Sequence, residues 1–271
     1  MCLITFAYRT HPHYNLVLVA NRDEFYRRPT QPLAPWPEHP GLLAGRDLEL
    51  GGTWLGLHRD GRLSAVTNYR DGRHRETGLR SRGHLTRDFL LNGDTAEAQS
   101  RQLEREGPAF GGFNLLLGDT RGLYYLSNRG HGPEQLRPGL YGLSNALLDT
   151  PWPKLQQARR ALADALHIPG LEARALAELL ADRNLAADPD LPETGIGLER
   201  ERALSSCFIQ LPEYGTRATS VILQDYDGNT RFFEQSFNAN GPTGFRDHRF
   251  RMPVIGAAGV KIGVGARSAS E

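Results

Sequence analysis

Cysteine is nearly absent from this 271-residue chain, which carries only Cys2 and Cys207. Two cysteines build no disulfide framework. Neither belongs to a C-x-x-C pair that would bind zinc, run redox exchange or, with a following histidine, hold haem covalently. Lysine is as scarce: of 32 basic residues only Lys154 and Lys261 are lysines. An excess of charge of one sign is missing too, because 32 Lys+Arg stand against 31 Asp+Glu, a formal net charge of +1. That balance argues against a nucleic-acid partner, and any anionic ligand must be held by local arginines. No apolar run reaches the ~18 residues of a membrane span. The first residues lack the basic region and long apolar stretch of a secretory signal, so the cytoplasm is the expected location. The sequence also lacks G-x-S-x-G, H-E-x-x-H, Walker and G-x-G-x-x-G motifs, which removes the commonest serine-hydrolase, zincin, P-loop and dinucleotide readings. No metal site is expected, the paired His11 and His13 reading as loop residues, and no repeat of 20–50 residues suggests a solenoid.

What remains is a globular chain long enough to bury a full core without staples. Cys2–Tyr8 and Tyr14–Ala20 are largely apolar runs of strand length around a polar turn that contains Pro12. Thr53–His58 and Leu63–Asn68 flank Asp60-Gly61, and Ala218–Gln224 and Thr230–Phe237 flank Asp227-Gly228, both hairpin signals. Phe113–Leu117, Gly122–Ser127 and Leu140–Leu143 have strand character. Helices are expected over His84–Leu91, stopped by Asn92-Gly93, over Thr95–Arg105, over Lys154–Leu166 with a stripe of Leu155, Ala158, Leu162 and Leu166, and over Leu171–Leu180. Pro29–Pro40, with five prolines, reads as a long loop, and Asn184–Glu201 as an acidic excursion. Strands and helices come in blocks rather than in strict alternation. Two antiparallel sheets packed together with helices outside, an α+β fold, suit that order better than a doubly wound parallel sheet. The expected organisation is one domain over 1–237 and a weakly ordered tail over 238–271.

The chemistry-bearing feature is the position of Cys2. A small residue at position 2 permits removal of Met1, leaving a thiol and a free α-amine on one residue. An α-amine of pKa ~7.7–8.0 is a competent general base near neutral pH. An arginine nearby would favour the thiolate. The alternative is a small apolar residue opening a buried strand. Directly after the second apolar run come Asn21-Arg22-Asp23-Glu24. A short antiparallel turn brings that cluster back beside residue 2, where Arg22 would stabilise a thiolate and Asp23 or Glu24 would hold the amine.

The tetrapeptide Asn21-Arg22-Asp23-Glu24 resembles the signature of the NRDE family, that of the transport and Golgi organisation proteins. Further matches run in order: Met1-Cys2-Leu3-Ile4, Gly51-Gly52-Thr53-Trp54-Leu55-Gly56, Thr67-Asn68-Tyr69-Arg70, Ser81-Arg82-Gly83, Gly112-Phe113-Asn114-Leu115, Leu143-Ser144-Asn145, Pro151-Trp152-Pro153-Lys154, Tyr214-Gly215-Thr216-Arg217 and Phe232-Phe233-Glu234. The resemblance implies an N-terminal-nucleophile (Ntn) hydrolase-like fold, a four-layer α-β-β-α sandwich. It also implies distant similarity to choloylglycine hydrolases and penicillin V acylases, in which a processed cysteine attacks an amide. Those relatives place an arginine and an aspartate three residues apart after the second strand. Spacing assigns these places to Asn21 and Glu24, whereas chemistry assigns them to Arg22 and Asp23.

Within that resemblance the expected catalytic set is Cys2, Arg22, Asp23, Asn68 and Asn145. The Asn68 backbone N–H and the Asn145 side-chain amide would form the oxyanion hole. Asn21, Glu24, Trp54, Arg82 and Arg217 are candidate ligand contacts, with Arg82-Gly83-His84 placed where a helix start favours anions. Cys207 reads as buried core. Two functional expectations follow. One is a cysteine hydrolase of amide or thioester bonds in a small, partly apolar substrate. The other, also implied by the resemblance, is a non-catalytic carrier of haem or acyl-CoA, its apolar cleft gripping propionates or phosphates through arginines. No cofactor is required by either reading, haem entering only as a ligand.

Overall fold

In a computed structural model, residues 2–74 and 80–259 are described. The strands and helices in chain order are β1 (Cys2–Tyr8), β2 (Tyr14–Phe25), β3 (Thr30–Trp36), β4 (His39–Asp47), β5 (Leu55–His58), β6 (Leu63–Asn68), α1 (Arg82–Asn92) and α2 (Ala96–Glu106). They continue with β7 (Phe113–Asp119), β8 (Gly122–Ser127), β9 (Glu134–Gln135), β10 (Gly139–Leu143), α3 (Pro153–Ala165), α4 (Ala173–Glu178), α5 (Leu198–Ala203), β11 (Tyr214–Asp225), β12 (Asn229–Asn238) and β13 (Gly241–Arg251).

Strand order is β10-β1-β2-β11-β12-β13 in one sheet and β3-β4-β5-β6-β7-β8-β9 in the other, and every pairing is antiparallel. Side chains alternate across each strand, so both sheets have two faces to cover. Ile4, Phe6, Leu16 and Leu18 of the first sheet meet Leu55, Leu57, Leu63 and Leu116 of the second in a central core. On the outer face of the first sheet, Leu3, Val17 and Val19 pack under Leu155 and Leu162 of α3 and Leu176 of α4. The outer face of the second sheet buries Val66, Leu115 and Leu117 beneath Leu85, Phe89 and Leu90 of α1 and Leu103 of α2. The result is the expected α-β-β-α sandwich. Gly93, at φ 83°, ends α1 as the Asn-Gly signal indicates.

Two expectations are corrected. The proline-bearing segment 29–40 is not a loop but holds β3 and the start of β4. β3 lies at the edge of its sheet and its register breaks on both sides of Ala34 and Pro35, the one setting where a strand tolerates prolines. The segment after 237 is not a loose tail as far as residue 259. β13 pairs with β12 along its length, and Met252 and Ile255 then return to the central core, with the Ile255 N–H donating to Gln224 Oε1 at 3.0 Å. The end of that expected tail, 260–271, lies outside the described residues. Among the described residues no helix is long and apolar enough to cross a membrane.

Candidate active site

The β1–β2 ladder sets the centre of the site. Cys2 stands directly opposite Arg22, and Leu3 opposite Asn21. Period-two alternation then divides the Asn21–Glu24 cluster between the two faces of the sheet. Cys2 and Arg22 share the face toward the second sheet. Asn21 and Asp23 turn toward the helices. Asp23 is the next residue of β2 past the Cys2–Arg22 pair.

Cys2 and Arg22 open into a cleft of about 390 Å³ between the two sheets and the start of α1. Trp54 and Asn68 form part of its wall. The Arg22 guanidinium is buried, donates to Thr30 Oγ1 at 3.2 Å and lies 4.2 Å above the Trp54 ring. The absence of a side chain at Gly45 makes room for that ring. Four arginines line the cleft: Arg22, Arg28, Arg80 and Arg82. Arg28 is committed to Asp47 through two hydrogen bonds of 3.0 and 2.8 Å. Arg82 Nη1 donates to Gly112 O at 3.2 Å, and Glu24, also in the wall, accepts from the Phe25 N–H at 2.9 Å. Gly52 lies against the first turn of α1 so closely that a Cβ there would sit 2.5 Å from the Gly83 carbonyl carbon, and the Thr53 N–H donates to Gly83 O at 3.1 Å. That contact aims the helix start into the cleft, where Ser81 makes no side-chain cap hydrogen bond.

The two asparagines meet. Asn145 Nδ2 donates to Asn68 O at 2.9 Å, and the Arg70 N–H donates back to Asn145 O at 2.7 Å. Only one of the two Asn145 amide hydrogens is used in that bond. The Val66 N–H donates to Trp54 O on the β5 side of β6, whereas the Tyr69 N–H donates to Gly112 O on the β7 side. Alternation therefore points the Asn68 N–H, like that of Val66, to the β5 side, past the end of β5 and into the cleft.

Electrostatics around Cys2 are mixed. Burial pushes its thiol up and Asp23 adds to that. The amino-terminal charge, Arg22 and a hydrogen bond from the Asp23 backbone pull it down, with burial prevailing. The arginine thus moderates the rise and does not produce the expected thiolate-favouring shift. Burial also raises the Asp23 carboxyl. The amino-terminal charge, Lys154, a 2.8 Å hydrogen bond from Thr216 Oγ1, and Arg70 all counter it. Behind the site Lys154 is buried and brought down to about 8, first by burial and then by Arg70. Glu234, buried next to Arg22, is pushed up to about 7 by burial.

Two expected ligand contacts do not reach the cleft. Asn21 Nδ2 donates to Leu180 O and Cys207 O at 3.0 and 2.9 Å, and its Oδ1 accepts from Thr219 Oγ1 at 2.6 Å. It ties β2 to the segments beneath α4. Arg217 is the extra residue of a β-bulge between the Thr216–Asp23 and Ala218–Arg22 pairs. The bulge re-aims its guanidinium onto the carbonyls of Phe25, Tyr26 and Arg28, beside a neighbouring chamber. Cys207 is buried, as expected, and burial raises its thiol to about 12. Sequence reasoning missed Arg28, Asp47, Arg80 and Ser81 in the cleft, and Arg70, Lys154 and Tyr214 behind it. Several of these belong to the matched motifs, but nothing local in the sequence says that such distant segments converge.

The Transport and Golgi organisation 2 profile matches residues 1–239. The chain belongs to that family. It is 37% identical over 277 residues to the transport and Golgi organization protein 2 homolog of Bos taurus, covering 93% of this chain and 99% of the relative. The Homo sapiens homolog is 36% identical over 257 residues, 87% of this chain and 93% of its own. Drosophila melanogaster transport and Golgi organization protein 2 is 26% identical over 275 residues, 90% and 95% of the two chains. Among solved structures, a Caenorhabditis elegans N-acylethanolamine-hydrolyzing acid amidase ortholog superposes with a TM-score of 0.50 at 10% identity, covering 82% of this chain and 92% of that one. That likeness speaks for the fold alone, and it is the Ntn-hydrolase fold. In this family member the Asn21–Glu24 signature is split by strand geometry, Arg22 facing the cleft and Asn21 the helices.

Proposed function

We propose that this family member is a cysteine hydrolase acting on an amide or thioester bond in a small substrate that carries an anionic group. The observation that carries this reading is that Cys2, its ladder partner Arg22 and Asn68 line one cleft, with Asn145 held against Asn68 by a hydrogen bond to its carbonyl. Removal of Met1 frees the Cys2 amine. That amine takes the thiol proton as sulfur attacks the carbonyl carbon. The oxyanion forms within reach of the Asn68 N–H and the remaining Asn145 amide hydrogen. The ammonium then protonates the leaving amine or thiol as the bond breaks, leaving an acyl-cysteine that water hydrolyses. Asp23, next along β2 from the ladder partner of Cys2, orients the amine through these transfers.

The anionic requirement replaces the partly apolar substrate expected from sequence. Leu50, Trp54 and Val66 are the main apolar side chains in a wall otherwise rich in arginine and backbone. Arg82, Ser81 and the start of α1 are placed to take a carboxylate or phosphate at the substrate's far end. Two cysteines without a disulfide partner suit a reducing compartment, and we place the reaction in the cytoplasm.

The same arginines favour a second reading, non-catalytic retention of an anionic ligand such as acyl-CoA or haem through its phosphates or propionates. Turnover of acyl thioesters and acyl amides by wild type and Cys2→Ala, beside titrations of both with acyl-CoA and haem, separates the two. Loss of turnover with retained binding supports the hydrolase. Equal titration curves with no turnover by either protein support the carrier and overturn the hydrolase.

A further inference from the structure

We propose that the chamber on the far side of the Arg22–Trp54 stack is a second ligand site, separate from the Cys2 cleft, and that it takes a short linear dicarboxylate. Arg22 and Trp54 form the wall that the two spaces share. Occupancy of the chamber requires no turnover at Cys2.

The chamber measures about 190 Å³, and strand register creates it. One row across the first sheet runs from Cys2 through Arg22, Ala218 and Ser236 to Gly244. Beyond Arg22 that row carries only small side chains, and a Cβ at Gly244 would meet no atom within 4 Å. Thr30 and Pro32 of the edge strand β3 close the space from the second sheet. Asn238 and Thr243, exposed at the β12–β13 turn, line its outer end.

A cation stands at each end of this floor. Arg22 lies at the inner end. Arg246 lies at the outer end, on β13 just past Gly244, and Arg217 lines the space from the bulge in β11. Among the described residues none of the three comes within ion-pair distance of a carboxylate, whereas Arg28 pairs with Asp47, Arg70 with Glu201 and Arg231 with Asp247. Arg22 is only 6% exposed, yet among the described residues the Thr30 hydroxyl, at 3.2 Å, is the one acceptor on its N–H fork. Arg246 donates only to the neighbouring Phe245 carbonyl, at 3.0 Å. Glu234 is the one carboxyl in the chamber wall. Its Oε1 accepts from the Leu33 N–H at 2.7 Å, its Oε2 faces the Ser220 hydroxyl at 3.4 Å, and burial pushes it up to about 7, so it offsets little of the positive charge.

A buried guanidinium without a counter-charge is costly. A ligand carboxylate at the open edge of Arg22 supplies the missing anion through charge-assisted hydrogen bonds to a planar fork. From β2 to β13 is three strand spacings, roughly 14 Å between backbones, and the two arginine side chains take up much of that length. The gap suits a chain of a few methylenes lying over Ala218 with a carboxylate at each end. A monocarboxylate satisfies one end only.

Isothermal titration calorimetry of the full chain tests this with glutarate and with pentanoate, in which a methyl group replaces one carboxylate. Wild type is compared with Arg246→Gln, Ser236→Leu and the cleft variant Arg82→Gln, their folding checked by unfolding temperature. Arg246 is exposed on the edge strand, so Arg246→Gln keeps the fold even where Ser236→Leu does not. The expected result is a single-site glutarate complex, about tenfold or more tighter than that of pentanoate. It weakens about tenfold in Arg246→Gln and in folded Ser236→Leu, while Arg82→Gln binds like wild type. No binding of glutarate by wild type, equal affinity for pentanoate, or a loss confined to Arg82→Gln overturns the proposal. So does wild-type affinity in Arg246→Gln. The readout involves no turnover, so an inactive Cys2 leaves the chamber's ligand standing, and failure of glutarate to bind leaves the hydrolase standing.

Discussion

Asn145 Nδ2 donates to the backbone carbonyl of Asn68 at 2.9 Å, fastening the residues that follow β10 to the end of β6. One strand end from each sheet is thereby locked next to Asn68 in the wall of the Cys2 cleft. Replacing Asn145 with alanine removes both the clasp and one oxyanion donor. The expected outcome is a fall in kcat of about 10²–10³ with KM little changed. Steady-state kinetics on an acyl thioester check this, and an altered KM with intact kcat contradicts it.

Arg22 lowers the Cys2 thiol against the opposing effect of burial. Removing its charge therefore moves the thiol up. In Arg22→Ala the alkylation of Cys2 by iodoacetamide, followed by peptide mass spectrometry across pH, is expected to need a more alkaline solution than in wild type. Arg22→Lys keeps most of the wild-type profile but loses the flat stack on Trp54. Coincident profiles for wild type and Arg22→Ala would count against this role.

Glu234 has a folded-state pKa raised from 4.5 to about 7 by burial. Between those values the folded state keeps a proton that the unfolded state releases, so stability falls as pH rises through this window and levels above about 7. Glu234→Gln lacks that loss. Urea denaturation at a series of pH values should show the variant gaining on wild type from about pH 4.5 to 7, by at most about 3 kcal/mol. Parallel curves would show that burial of Glu234 carries no such cost.

Asn21 is a structural residue despite standing first in the family signature. Asn21→Ala strands the Leu180 and Cys207 carbonyls and the Thr219 hydroxyl, all now bonded to its amide. A loss of about 2–4 kcal/mol of stability is expected, with kcat of the folded protein unchanged. A kinetic defect without a stability loss would return Asn21 to the cleft.

The legible parts of the fold were those where one local rule acts alone. Asp60-Gly61 and Asp227-Gly228 mark their hairpins, Asn92-Gly93 ends α1, and the leucine stripe of α3 marks its buried face. β3 escaped because proline normally excludes a strand, and edge position is a property of the sheet, not of the segment. β13 escaped because nearly all of its residues are exposed, leaving no alternation to read. The site follows the same division. Cys2 and the asparagines carry recognisable chemistry in sequence. The choice between Asn21 with Glu24 and Arg22 with Asp23 turns on ladder register, which fixes the face each side chain takes. Arg217 is displaced by a bulge, an effect with no local signature.

The central claim is that Cys2, freed of Met1, forms an acyl-enzyme. Intact-mass spectrometry of purified protein, before and after rapid quenching with an acyl thioester, tests it most directly. The expected spectrum shows a chain lighter by one methionine residue that gains one acyl group on Cys2, and no adduct in Cys2→Ala. Retention of Met1, or an acyl adduct undiminished in Cys2→Ala, would contradict it.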